Sequence, residues 1–176
     1  VGGGMTPERA PLFLSAGASG IIVTSWLFAE SLSIDMGRLQ AFENEIGADK
    51  LVIDLSCRKI DSGWAVAIHK WQTVTRERLT LSLLERLSSF CNEFLIHAAD
   101  VEGKQSGMDE ELVQMLGTWE GPRITYAGGI RSIEDLARVD DWSEGRVDLA
   151  IGSALDLFGG AQIRYEDCVA WNRQVK

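Results

Sequence analysis

Two glycine pairs of the sequence stand where an apolar run ends, and such pairs could hold anions. The first pair, Gly3 and Gly4, follows Val1 and Gly2. The second pair, Gly128 and Gly129, follows the run "RITYA". A glycine backbone can approach an anion closely, and the start of a following helix offers unpaired N–H groups and a positive dipole end. The sequence therefore predicts two phosphate-binding loops, although the same glycines could simply permit tight turns.

These pairs belong to an internal repeat in which a hydroxyl residue ends the next apolar run. Gly3 and Gly128 are 125 positions apart, and doubling that spacing gives about 250 residues and eight strand–helix units, typical of a (β/α)8 barrel. A Rossmann-type fold is disfavoured because "GGGMTP" lacks the GxGxxG spacing. The predicted phosphate residues are Gly3, Gly4, Thr24 and Ser25 in one site, and Gly128, Gly129, Gly152 and Ser153 in the other.

The fold class is predicted as α/β, a TIM barrel with a parallel sheet. Residues 1–176 are expected to form a single incomplete barrel domain that holds strands three to eight with their helices, the two N-terminal units being absent. Five nearly continuous apolar runs predict the buried strands, namely "GIIVTS", "LVIDLSC", "EFLIHAA", "RITYAGG" and "VDLAIGS". Residues 58–75 are interpreted as a long functional loop, and 76–90 as an amphipathic helix.

Composition narrows the function classes. The net charge of −9 argues against a nucleic-acid partner. No apolar run is long enough for a membrane helix, and no signal peptide is recognisable, so a cytoplasmic location is expected, or a plastid in a plant or alga. The three cysteines are far apart without a CxxC pattern, so neither a zinc site nor a disulfide framework is predicted. The acidic charge and the two predicted anion-binding loops favour an enzyme whose small-molecule substrate carries two phosphates, and the intact protein is expected to be a monomer.

Several segments together resemble one family. They include "LVIDLSCRK", "GWAVAIHKWQT", "FLIHAADVEGKQSGMDEELV", "TYAGGIRSIEDL" and "VDLAIGSALDLFGG". They resemble the eukaryotic branch of the histidine-biosynthesis isomerases acting on phosphoribosylformimino-5-aminoimidazole carboxamide ribotide. The resemblance implies a (β/α)8 barrel of two phosphate-binding halves. It also implies an Amadori rearrangement, an aldose–ketose isomerisation of the intramolecular oxidoreductase type, without metal or cofactor.

Such a rearrangement needs an acid and a base. In the family the base is an Asp on the first strand, which is not among the strands expected here. The resemblance places Ser56 in the column of the bacterial acid, so the acid of this chain is open. Asp54 points to the same side of its strand one layer deeper, and could act directly, act through a water or serve as a core hydrogen-bonding group. Asp100, at the end of the next predicted strand, is the second candidate.

The resemblance also implies substrate-binding residues. A Trp matching Trp71 closes over the substrate in the family, whereas a loop Trp can also simply pack its own loop. Arg58 could pair with a substrate group or form a salt bridge, and Glu102 matches an acidic residue that contacts substrate in relatives. His97 is interpreted as a core histidine, and His69 as either a substrate contact or a solvated side chain.

Two other functions remain open. One is the related cyclase of the next step, imidazole glycerol phosphate synthase, and the other is a non-catalytic phosphate-binding fragment. Because two sheet edges would be unpaired, the chain alone is expected to aggregate and to be poorly active.

Overall fold

A computed structural model describes residues 1–28, 30–101 and 107–174. The described residues form eight strands, in chain order β1 (Ile21–Val23), β2 (Leu51–Asp54), β3 (Cys57–Ile60), β4 (Gly63–Ile68), β5 (Thr73–Leu79), β6 (Glu93–His97), β7 (Arg123–Ala127) and β8 (Val147–Ala150). They also form six α-helices, α1 (Ala10–Ser15), α2 (Met36–Ile46), α3 (Leu81–Leu87), α4 (Glu110–Gly117), α5 (Glu134–Ser143) and α6 (Tyr165–Gln174).

The main sheet is parallel, with strand order β1-β2-β6-β7-β8. Its five strands coincide with the five apolar runs, so the predicted α/β class with a parallel sheet is confirmed. The helices that alternate with these strands pack on one face. A register row crosses that face and is buried in every strand, through Val23, Ile53, Phe94, Ile124 and Val147.

The other face of the sheet is more polar and only partly buried in the described structure. The next register row contains Asp54, Leu95, Thr125 and Asp148. Thr125 donates its hydroxyl to Glu93, with 2.7 Å between the oxygens. Burial of the five strands in the described structure is therefore greatest on the helix-packed face.

Val1 continues the sheet beyond β1. Its nitrogen donates to the Gly20 carbonyl (2.7 Å), and its carbonyl accepts from the Ile22 N–H (2.8 Å). The first glycine pair thus follows a residue that is hydrogen-bonded alongside β1, as a neighbouring strand would be. Residues 1–4 themselves do not form a strand.

The predicted loop over 58–75 is wrong. These residues lie within a second sheet, antiparallel, of order β3-β4-β5. Gly63, at φ +101°, ends the tight turn between β3 and β4, and the pairs Cys57–Val66 and Ala67–Val74 fix the strand registers. Cross-strand pairing outweighs the lack of a continuous apolar run, so the segment is ordered structure.

The predicted helix starts are also refined. The helix expected over 76–90 is shorter, because Leu79 belongs to β5 and Thr80 caps α3 through the Leu83 N–H. Helix α1 follows a turn in which the Thr6 carbonyl accepts from the Arg9 and Ala10 N–H groups. Helix α2 was not predicted, yet Asp35 caps it and Gly47, at φ +78°, ends it.

No helix in the described part of the chain is long and apolar enough to cross a membrane.

Candidate functional site

A cavity of about 710 Å³ opens at the carboxyl ends of β1 and β2. Strand ends of this kind carry the active sites of barrel enzymes. The walls come from the first glycine loop, the ends of both strands, and the turn between β4 and β5. The lining includes Gly3, Gly4, Thr24, Ser25, Trp26, Asp54, Ser56, His69, Lys70 and Trp71. Residues far apart in the sequence, among them half of the predicted site residues, therefore share one space.

Asp54 is a half-buried carboxylate held by three donors. Its Oδ2 accepts from the Thr24 hydroxyl (2.9 Å), and its Oδ1 accepts from the hydroxyl and the N–H of Ser56 (2.7 and 2.8 Å). These bonds fix the orientation of the carboxylate at the cavity wall. Asp54 can therefore exchange a proton with a bound molecule, and Ser56 and Thr24 can position it.

The first glycine loop borders the same cavity. Gly3 and Gly4 have φ angles of +96° and +59°, a backbone region that favours glycine. A Cβ on Gly3 would meet no atom within 4 Å, so the loop faces open space. The Gly4 carbonyl turns away to accept from the Arg9 guanidinium (2.7 Å). The structure thus brings together Gly3, Gly4, Thr24 and Ser25, whose role in phosphate binding stays a prediction.

The turn between β4 and β5 delivers Trp71 to the cavity. His69, Lys70 and Trp71 all have left-handed backbones, with φ angles of 53°, 57° and 65°. The Trp71 ring lies against the His97 ring, with centroids 4.7 Å apart and planes inclined by 61°. The residue predicted to close over a substrate therefore lines the cavity, as does His69, and His97 supports its ring.

The second glycine loop has different surroundings. Gly128 and Gly129 are buried, and a Cβ on them would lie 2.8 Å from the Ala98 carbonyl oxygen and 2.2 Å from that of Gly107. Strand β7 precedes Gly128 and Gly129, and β8 precedes Gly152 and Ser153. The two strands pair through Ala127 and Ala150, which places the exposed Gly152 and Ser153 beside the second loop. The four predicted residues of the second phosphate site are therefore neighbours, but they do not line the 710 Å³ cavity.

Arg58 and Asp100 bind each other. The Arg58 Nε and Nη2 atoms both lie 3.0 Å from Asp100 Oδ1, and the Lys59 N–H donates to Asp100 Oδ2. Neither side chain lines the cavity. The geometry therefore favours a salt bridge over substrate pairing for Arg58. It also disfavours direct action of Asp100 as the acid. Glu102 lies outside the described residues.

The cysteine near the site is not a nucleophile. Burial, and then the charges of Asp109, Asp100 and Asp54, raise the pKa of the Cys57 thiol far above its ordinary value. Burial likewise raises the pKa of Cys91 to about 12. Both thiols stay protonated at neutral pH, so neither is predisposed to act as a thiolate nucleophile.

Two cavity residues were missed at the level of sequence. Trp26 packs edge-on against Phe42, with centroids 4.9 Å apart, while Lys70 carries a cation into the lining. Residue types alone do not indicate that Lys70 faces the cavity, because its position depends on three consecutive left-handed backbones, at residues 69–71. A second cavity, of about 520 Å³ beside β8 and α6, contains none of the predicted catalytic residues.

Comparison with known proteins identifies the family of this chain. The family model described as histidine biosynthesis protein matches residues 1–161. A relative from Yarrowia lipolytica is 48% identical over 99% of this chain and 69% of its own length, and one from Saccharomyces cerevisiae is 46% identical over 99% and 68%. A chloroplastic relative from Medicago truncatula is 42% identical over all of this chain and 56% of its own length.

All three relatives are named as isomerases of an imidazole-4-carboxamide that carries a phosphoribosyl and a phosphoribosylamino-methylideneamino group. The chain spans about two thirds of the length of these fungal relatives. The resemblance to the eukaryotic isomerases is confirmed, and the chain belongs to the histidine biosynthesis protein family.

Proposed function

We propose that this chain forms part of an isomerase that converts a bis-phosphorylated aminoaldose into the corresponding aminoketose by an Amadori rearrangement. The observation that carries the proposal is the single cavity shared by Asp54, the first glycine loop and Trp71. The names of the fungal and plant relatives support the same reaction and the same substrate.

The reaction needs two proton movements. Protonation of the ribose ring oxygen opens the ring to an imine, and loss of the C2 proton then gives an enolamine that becomes the ketose. No redox cofactor is required, because C1 is reduced as C2 is oxidised within the molecule. We assign one of the two proton transfers to Asp54, whose carboxylate is aimed by Ser56 and Thr24.

The glycine loops hold the substrate in this proposal. One phosphate binds at Gly3, Gly4 and Ser25, and the other binds at the loop that contains Gly128 and Gly129. Trp71, which lines the same cavity as the first loop, covers the imidazole in this proposal, and its flat aromatic ring suits that contact. Binding at both ends keeps the reacting ribose next to Asp54, which lowers the entropic part of the barrier.

The same proposal extends to the fold. The five parallel strands and the Val1 neighbour correspond to strands three to eight of a (β/α)8 barrel built from two similar halves. The support is the sheet order β1-β2-β6-β7-β8, the helices on one face, and the polar row on the other face, which suits a barrel interior. The bis-phosphorylated substrate and a monomeric intact enzyme are part of this proposal.

The test is turnover by the natural full-length protein. Purified enzyme is mixed with the bis-phosphorylated aminoaldose, and formation of the aminoketose is followed by chromatography or by coupling to a cyclase. We expect turnover without added metal or cofactor. Absence of product, together with turnover of the aminoketose when ammonia is supplied, would replace the proposal with the cyclase. Phosphate binding without either reaction would favour a non-catalytic module.

A further inference from the structure

Lys70 occupies a backbone conformation that lysine rarely adopts. Its φ of 57° lies in the left-handed region, between His69 and Trp71, which share that conformation. The Cβ of an L-residue crowds the backbone in this region, whereas glycine does not. A side chain kept at such a position is a reason to look for a function.

The lysine side chain borders the cavity. It lines the same space as Gly3, Gly4, Thr24 and Ser25, the residues of the first proposed phosphate site. Among the described residues, no carboxylate lies within ion-pair distance of its ammonium. Its charge is therefore available to a ligand in the cavity.

Neither Thr24 nor Arg9, two polar side chains near the first glycine loop, offers a free donor or cation to an anion in the cavity. The Thr24 hydroxyl donates to Asp54, so it does not offer its proton to an anion. In the internal repeat, Thr6 stands where the second loop has Arg131, so the first loop lacks the basic residue two positions after the glycine pair. Arg9 is near, but its guanidinium donates to the Gly4 carbonyl and it does not line the cavity.

We propose that Lys70 is a specificity-determining binding residue whose ammonium neutralises the substrate phosphate at the first glycine loop. This inference rests on the proposed function and names the residue that supplies the charge. The hairpin turn thus serves two purposes, because Trp71 covers the substrate while Lys70 pairs with its phosphate. The disfavoured backbone is retained because a glycine there would remove the cation.

Three variants of the full-length enzyme separate charge from backbone conformation. Lys70→Gln removes the charge, Lys70→Arg keeps it, and Lys70→Gly removes both the charge and the strain. We expect the KM of Lys70→Gln and Lys70→Gly to rise about 10-fold with kcat changed less than about 3-fold, and Lys70→Arg to stay near wild type. The Tm of Lys70→Gly should rise.

Glu144→Gly is the matched control. Glu144 is also left-handed, at φ 53°, but it is exposed at the end of α5. Its replacement should raise the Tm and leave KM unchanged. An unchanged KM in Lys70→Gln, or an equal rise in KM for Glu144→Gly, would overturn the assignment.

Titration with inorganic phosphate keeps this test independent of the reaction. Isothermal calorimetry should show weaker phosphate binding in Lys70→Gln than in wild type or Glu144→Gly. If wild type binds phosphate but does not isomerise the aminoaldose, the proposed function fails while the role of Lys70 stands. If phosphate affinity is equal in all variants, Lys70 has no role at this loop.

Discussion

The two glycine loops both follow strand-like segments and adopt positive φ angles, yet their surroundings differ. The first loop contains Gly3 and Gly4, and the second contains Gly128 and Gly129. The first loop faces an open cavity that also contains Asp54. The second is buried against the backbone carbonyls of Ala98 and Gly107. Glycine in the first loop permits a positive φ angle. Glycine in the second loop permits a positive φ angle and also close packing against neighbouring backbone atoms.

Each loop also has an aspartate nearby, and the two aspartates differ in the same way. Asp54 borders the cavity, whereas Asp135 is 1% exposed. Asp135 accepts from the Arg131 and Ser132 N–H groups and pairs with Arg138. The carboxylate near the first loop therefore borders an open cavity, whereas the carboxylate near the second loop is enclosed by its hydrogen-bond partners.

The largest expected effect comes from exchanging these two carboxylates for amides. Asp54→Asn should lower kcat by about 10²- to 10⁴-fold with little change in substrate binding, because it removes a proton-transfer group. Asp135→Asn should leave kcat within a few-fold but lower the free energy of unfolding by about 1–3 kcal/mol, because buried donors lose their acceptor. Steady-state kinetics and urea unfolding measure both.

The opposite outcome would break the comparison. If Asp54→Asn loses stability and keeps its kcat, Asp54 is a core hydrogen-bonding group. Asp100→Asn would then become the variant to test for the acid.

A methyl group added to each loop should separate open space from tight packing. Gly129→Ala places a Cβ 2.2 Å from a backbone oxygen at φ +76°, and we expect about 3–5 kcal/mol of lost stability. Gly3→Ala meets no neighbour within 4 Å and should cost only the left-handed strain, about 1–2 kcal/mol. Equal losses in urea unfolding would show that the two loops are packed alike.

The smallest expected effect concerns a hydrogen bond from a hydroxyl to a glutamate that both loops have. The Thr6 hydroxyl lowers the pKa of Glu8 by a hydrogen bond, and Ser132 lowers the pKa of Glu134 in the same way. A lowered pKa in the folded state contributes stability above the unfolded pKa, and this is lost as pH falls through the folded value. Thr6→Ala and Ser132→Ala should each raise the pKa of the partner Glu in an NMR titration.

A control strengthens that titration. Each substitution should leave the pKa of the other loop's glutamate unchanged. A shift in both would mean that the two hydrogen bonds are not local, which would weaken the parallel between the loops.

The parallel strands were predicted for physical reasons, and the residues predicted for the first site do line one cavity, although their roles stay a prediction. Buried strands need near-continuous apolar runs, and the repeat linked Gly3 to Thr24 before any contact was known. Asp54 followed from the family resemblance, which singled out Ser56, and from strand periodicity, which puts Asp54 on the same side; the Ser56 hydroxyl does bond to it. These features are written in local residue order.

Features that depend on pairing between distant residues were not predictable in this way. The antiparallel sheet over 57–79 rests on register pairs such as Arg58–Ala65 and Trp64–Leu79. The salt bridge of Arg58 with Asp100 joins residues 42 positions apart. Lys70 reaches the cavity only because three consecutive residues adopt left-handed backbones, which residue types alone do not indicate.

The most direct measurement is a crystal structure of the full-length Asp54→Asn variant with the bis-phosphorylated aminoaldose, which this variant should bind but scarcely convert. We predict one phosphate at Gly3, Gly4 and Ser25, the other at the loop of Gly128 and Gly129, and the ribose beside residue 54 under Trp71. A substrate bound with both phosphates away from these loops, or with its ribose far from residue 54, would contradict the account.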